Sequence, residues 1–233
     1  MSRPFQLYRL QQLDSQIDGI HVRLKEVEIA LADETELSQS RAKTNQITAD
    51  LQQARQNLRN AEFETQQQRI KIEQTEATLY GGKVRNPKEL KDLENEVAAL
   101  KRHLSVLEDR QLESMEAEEE ASNCLGEASA ELETVQASHN RRLAGLNQEK
   151  EKLEKDLKRL EDERRVSAST IPAEDLSVYE ALRQKRRGIA VAKVADKACA
   201  ACGSTLNAML LNAARSPSQL NMCDHCGRIL YLG

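Results

Sequence analysis

The chain has 233 residues, of which 31% are charged and 3% aromatic, with no Trp and two Phe. A globular core of ordinary volume needs more bulky groups than this, and the abundance of Ala, Glu, Lys, Leu, Arg and Gln points instead to long helices. The net charge of −4 and pI near 5.7 exclude a strongly basic protein. Charge is nevertheless uneven, because eight Lys/Arg face five Asp/Glu from Pro172 onward.

The first residues lead directly into amphipathic sequence, with no apolar signal core and no membrane-spanning run, so a cytoplasmic location without membrane insertion is expected. From Leu7 to Leu79 the apolar residues follow a three-four rhythm. Leu10, Leu13, Ile17, Ile20, Leu24, Val27 and Leu31 form a first stretch. Leu37, Thr44, Leu51, Leu58, Thr65, Ile72 and Leu79 follow at intervals of seven. This is a heptad seam. The two stretches differ in phase by one residue, which places a disturbance between Leu31 and Leu37. At 1.5 Å per residue, the segment predicts a helix roughly 110 Å long.

Tyr80-Gly81-Gly82-Lys83-Val84-Arg85-Asn86-Pro87 then stops the helix and permits a restart. A second apolar series runs from Leu90 through Leu160, so its helix matches the first in length. Two equal helices joined by a short turn fold back on each other. In such a pairing Leu79 meets Leu90, Leu10 meets Leu160, and the disturbed zone at 32–46 faces 123–137. A bend or local loosening there is weighed evenly against ordinary seam imperfection. The expected fold is mainly α, with a long antiparallel coiled-coil hairpin over 1–168, a tip near 80–87, and a small C-terminal zinc ribbon with a short helix over 169–233. Ser167 to Pro172 reads as a linker, Ala173 to Arg187 as the short helix, and Ile189 to Val194 as a strand.

Four of five cysteines lie in two Cys-x-x-Cys pairs, Cys199/Cys202 and Cys223/Cys226, with twenty residues between the pairs. In a reducing compartment this spacing reads as metal ligation. Four thiolates make a closed tetrahedral zinc site with no open position for catalysis. Gly203 and Gly227 each follow a pair and allow a positive φ, so that backbone amides turn toward the sulfurs. The expected cofactor is one structural zinc ion. Iron in a rubredoxin-like site is disfavoured because only Tyr231 follows the cysteines. Cys124 reads as an inert helix residue, His225 as an exposed side chain, and His21, His103 and His139 as scattered surface groups.

These residues together resemble a bacterial family of coiled-coil proteins with a C-terminal C4-type zinc ribbon. The resemblance is carried by Tyr80-Gly81-Gly82-Lys83-Val84-Arg85-Asn86-Pro87-Lys88-Glu89-Leu90 and by Cys223-Asp224-His225-Cys226-Gly227-Arg228-Ile229-Leu230-Tyr231. It implies a hairpin followed by a compact ribbon. It also implies an adaptor of the kind linked, in flagellated and type-III-secreting bacteria, to flagellin messenger RNA, an alternative sigma factor and export components.

No phosphate-binding loop, nucleophile elbow or His-Glu-x-x-His motif occurs, so no catalytic residue and no small-molecule substrate are expected. Three surfaces remain. The tip offers Tyr80, Lys83, Arg85, Asn86, Lys88 and Lys91 to a protein partner or a phosphate. Arg183, Lys185, Arg186 and Arg187 end the short helix, where they complement its dipole or meet nucleic acid. Arg228 and Tyr231 sit on the ribbon, where Tyr231 either packs or stacks on an RNA base. The favoured reading is a non-enzymatic adaptor that binds protein partners through tip and ribbon. The alternative is an RNA- or DNA-binding regulator that uses the basic C-terminal region.

Overall fold

The computed structural model describes residues 2–82 and 84–233. In chain order the elements are α1 (Arg3–Ala32), α2 (Thr35–Tyr80), α3 (Pro87–Ser169), α4 (Ala173–Lys185), β1 (Val191–Ala195), β2 (Ala198–Cys199), α5 (Ala208–Ala213) and β3 (Ile229–Tyr231). The architecture is the mainly α coiled-coil hairpin with four C-terminal cysteines that the heptads and spacing predicted. The chain forms two compact units, one from residues 1–33 with 143–233 and one from 34–142.

In the unit over 34–142, α2 and the first part of α3 pair antiparallel. The seam buries Leu37, Leu51, Ala61, Ile72 and Leu79 against Val97, Leu107 and Ala128. Two polar residues also lie in it. Thr65 donates from Oγ1 to the Leu107 carbonyl at 3.4 Å, and Gln68 donates from Nε2 to the Leu100 carbonyl at 2.9 Å. A buried amide without a partner is costly, so these bonds favour one register over its neighbours. Ion pairs flank the seam, including Lys43–Glu131 at 2.6 Å, Arg69–Glu108 at 2.7 Å and Arg55–Glu118 at 2.9 Å. Exposed pairs of this kind contribute little, so they tune alignment while the apolar seam supplies cohesion.

The first predicted helix is interrupted. It stops at Ala32 and resumes at Thr35, with Asp33 extended at φ −82° and ψ 103°. The break falls where the two heptad stretches change phase. The opposing strand carries no such break, because α3 runs unbroken through 123–137 despite Gly126.

In the unit over 1–33 and 143–233, α1 pairs with the end of α3. Leu160 packs with Leu13 and Ile17. The expected Leu10–Leu160 contact is therefore displaced along α1, because Leu10 is drawn into a second core. That core joins Leu7 and Leu10 to Ile171, Tyr179, Ala190, Val191 and Ile229. The predicted linker is shorter than expected, since α3 continues to Ser169 and only a turn precedes α4. The predicted strand appears as β1, at the centre of a three-stranded sheet of order β2-β1-β3. β3 runs parallel to β1 with Val191 opposite Ile229, and β2 runs antiparallel with Val194 opposite Cys199.

Leu10 is fully buried and Ile29 is 72% exposed. Leu10→Ala should therefore destabilise this unit by about 2–5 kcal/mol, whereas Ile29→Ala should stay within about 0.5 kcal/mol. Urea unfolding of the two variants, followed by exchange of amides in α1, measures the difference.

Candidate functional site

The four cysteines converge from two turns. Cys199 ends β2, and the Cys202 and Gly203 amides both donate to its carbonyl, at 3.2 and 2.8 Å. In the second turn the Gly227 amide donates to the Cys223 carbonyl at 2.7 Å. Gly203 and Gly227 adopt φ of 75° and 70°, as the placement of glycine after each pair predicted. Backbone amides of Ala201 and Cys202 act to lower the Cys199 pKa, and those of Cys226 and His225 that of Cys223. Such donors favour thiolate and orient it.

All four Sγ atoms lie within 4.8 Å of one another. Cys199–Cys226 and Cys202–Cys223 are each separated by 3.8 Å. Zinc–sulfur bonds of about 2.3 Å in a tetrahedron give an edge of about 3.8 Å. The donor set and its spacing therefore fit a metal ion. Cys199, Cys223 and Cys226 are buried and Cys202 is half-buried. Burial pushes the Cys199 thiol up to about 12 and also raises Cys223. Hydrogen bonds from the Ser204 side chain and backbone hold Cys202 down at about 6. Cys124 is exposed on α3, outside this cluster.

The sheet that carries the cysteines is held by α1. Gln11 Oε1 accepts the Ala190 and Val191 amides, both at 2.6 Å, and its Nε2 donates to the Val191 carbonyl at 2.8 Å. One turn further, buried Asp14 accepts from the Tyr179 hydroxyl at 2.6 Å and from Arg164 Nε at 2.6 Å. Burial and the facing carboxylate keep Tyr179 protonated. Gln11 and Asp14 were not anticipated. Both sit beside heptad positions, and a polar residue on an amphipathic helix reads as solvent-facing until its neighbour in space is known.

The structure divides the predicted charged sites. At the tip, Tyr80 is 79% exposed, and Arg85, Lys88 and Lys91 are exposed as well. Asn86 caps α3, since its Oδ1 accepts the Lys88 amide at 3.0 Å and its Nδ2 donates to Glu89 at 3.2 Å. Lys83 lies outside the described residues. Near the C-terminus, Arg183 pairs with Asp18 at 2.6 Å and lies 3.6 Å from Asp14. Arg228 donates to the Ile189 carbonyl at 2.8 Å and to the Arg186 carbonyl at 3.3 Å. Tyr231 stacks on Tyr8 with centroids 4.9 Å apart and leans on Phe5 at 5.8 Å. Lys185, Arg186 and Arg187 remain exposed. No helix is long and apolar enough to cross a membrane among the described residues.

The CT398-like coiled coil hairpin domain family matches residues 10–187, and the chain belongs to that family. Its matched region ends before the first cysteine of the cluster, so the candidate metal centre rests on the geometry above. CT398 from Chlamydia trachomatis has a similar structure, with a TM-score of 0.77 and 21% identity, covering 99% of this chain and 98% of that one. A protein from Mycobacterium smegmatis is similar at a TM-score of 0.67 and 19% identity, with 99% of each chain covered. At these identities the likeness speaks to fold. No curated protein matches the sequence.

Metal loading must displace protons from Cys199 and Cys223, because both favour the thiol at neutral pH and only thiolate ligates. Affinity should therefore rise with pH through neutrality and continue rising above about pH 8, with roughly two or more protons released per ion near neutrality. Titration with zinc in buffers of different ionisation enthalpy counts those protons. Affinity independent of pH contradicts the arrangement.

Proposed function

We propose that this protein is a non-enzymatic adaptor, with a zinc ion held by Cys199, Cys202, Cys223 and Cys226 at its base and a protein-docking surface at the hairpin tip. The ion's contribution when bound is structural. Four thiolates leave no open coordination position, and the strands around them are too short to cohere on apolar area alone.

One cluster carries the docking assignment, the exposed Tyr80 with Arg85, Lys88 and Lys91 gathered at the turn. Several cations along the helices are matched by carboxylates, as in Arg23–Glu149, Arg55–Glu118 and Lys101–Glu76, while others such as Arg41 and Lys155 face solvent singly among the described residues. At the tip, Arg85, Lys88 and Lys91 are exposed and join no ion pair among the described residues. A turn needs its glycines and its Asn-Pro restart, and it does not need a cluster of unmatched cations beside an exposed tyrosine. Aromatic residues and Arg are enriched where proteins dock, and a basic patch selects an acidic partner and speeds encounter. Of the partners that the family resemblance implies, a sigma factor or an export component is the kind of protein such a basic surface would meet through an acidic face.

The nucleic-acid alternative receives less support from the geometry. Arg183, Arg228 and Tyr231 are engaged within the fold, which leaves Lys185, Arg186 and Arg187 exposed among the predicted residues. Three adjacent cations make a weak phosphate footprint.

The purified chain should carry about one zinc ion, and Cys226→Ser should lose it while the hairpin stays helical. A triple variant, Arg85→Glu with Lys88→Glu and Lys91→Glu, should keep its zinc. Its affinity for a partner isolated from native lysate and rebound in purified form should fall roughly tenfold or more, with the wild-type interaction weakening as salt rises. Partner binding that survives this charge reversal sinks the tip assignment. Tight RNA binding lost with Arg186→Glu and Arg187→Glu would favour the alternative.

A further inference from the structure

β1 joins three structures that are far apart in sequence. On one edge Val194 pairs with Cys199, and the Ala200 amide donates to the Lys193 carbonyl at 2.9 Å. On the other edge Val191 to Lys193 run beside Ile229 to Tyr231, which begin three residues after Cys226. The second cysteine turn closes onto that strand, because the Cys223 amide donates to the Arg228 carbonyl at 2.8 Å. Both cysteine pairs are thus tied to β1. The entry to β1 is bound by α1, through the three hydrogen bonds of Gln11 to Ala190 and Val191.

Gln11 is only 8% exposed. Its carbonyl oxygen and one amide proton are satisfied by strand backbone, so undocking α1 would strip buried donors and acceptors on both sides. Around this clasp, Leu7 and Leu10 bury against Ile229 and Tyr179, Tyr8 stacks on Tyr231, and the Lys193 ammonium lies 5.1 Å from the Tyr8 ring centre.

We infer that residues 3–14 of α1 and the four-cysteine site form one linked unit, in which metal occupancy governs whether the start of α1 is docked on the sheet. The inference rests on the metal reading proposed above. The strands have five, two and three residues. A sheet that small needs help to persist, and the metal and the buried face of α1 are two sources of it beside the packing of Tyr179, Leu206 and Ala214. Each source favours the same arrangement of β1, so each strengthens the other, and linkage requires the coupling to be reciprocal. Loss of the ion releases both cysteine turns from β1 and weakens the backbone groups that Gln11 grips. Leu7, Leu10 and Tyr8 then become accessible, which makes the base of the hairpin a metal-dependent surface.

Hydrogen exchange on the full-length chain, zinc-loaded and chelator-stripped under reducing conditions, reads the forward direction. Amides of residues 7–20 should exchange roughly tenfold or more faster in the stripped protein, while those within 50–75 and 95–120 keep their rates. Chelator competition reads the reverse direction. Gln11→Leu and Tyr231→Ala should lower zinc affinity within about the 5–150-fold range typical of linked sites, and Gln16→Leu, at an exposed α1 position, should leave it unchanged. A chain that holds no zinc removes the metal reading and this inference together. Zinc that binds tightly, with α1 exchange indifferent to its removal and Gln11→Leu binding it as the wild type does, overturns the inference alone.

Discussion

The grip of Gln11 on the start of β1 connects the N-terminal helix to the C-terminal sheet, and the surrounding base depends on it. A strand of five residues has little cohesion of its own. It persists because one end is hydrogen-bonded by a buried side chain, one edge carries the first cysteine turn, and the other edge carries the strand that follows the second. Buried Asp14 adds a second polar tie one turn away, reaching Tyr179 on α4 and Arg164 on α3. Burying a carboxylate is unfavourable unless charge and hydrogen bonds compensate it, and here two arginines and a tyrosine converge on it. The result is a base in which residues from both ends of the chain share one core.

Polar residues serve a different purpose in the other unit. Thr65 and Gln68 occupy seam positions that an apolar residue would fill with more cohesion. Each spends its polar group on a carbonyl of the facing helix. A uniform seam tolerates slippage by a heptad, and a buried hydrogen bond that only one alignment satisfies does not. The flanking ion pairs repeat that alignment at the surface. At the tip Arg85, Lys88 and Lys91 stand exposed beside Tyr80.

Much of this was legible in the sequence, for reasons that differ by element. Heptads report a helical seam directly, so α2 and α3 could be read together with the turn at Gly81–Pro87. The interruption at Asp33–Glu34 was visible as a phase change, although its restriction to the first strand was not. The cysteine cluster was legible because Cys-x-x-Cys spacing leaves few other geometries for two thiols. Three things were hidden. Gln11 and Asp14 look like ordinary polar positions on an amphipathic helix, and only the return of the chain 150 to 180 residues later makes them interior. β2 and β3 are two and three residues long, below what periodicity can register. Arg183, Arg228 and Tyr231 carry the composition of a binding surface, yet Asp18, the Ile189 carbonyl and Tyr8 engage them from other elements.

The central claim is that the cysteine-bearing sheet is completed by α1 and has no separate existence. Deleting residues 1–12 from the chain, while leaving all four cysteines in place, tests it most directly through the amide spectrum of residues 189–231 in the presence of zinc. The account predicts that these amides lose their dispersion and that zinc is held weakly. A truncated protein whose sheet amides stay dispersed, with zinc held as in the full chain, would contradict it.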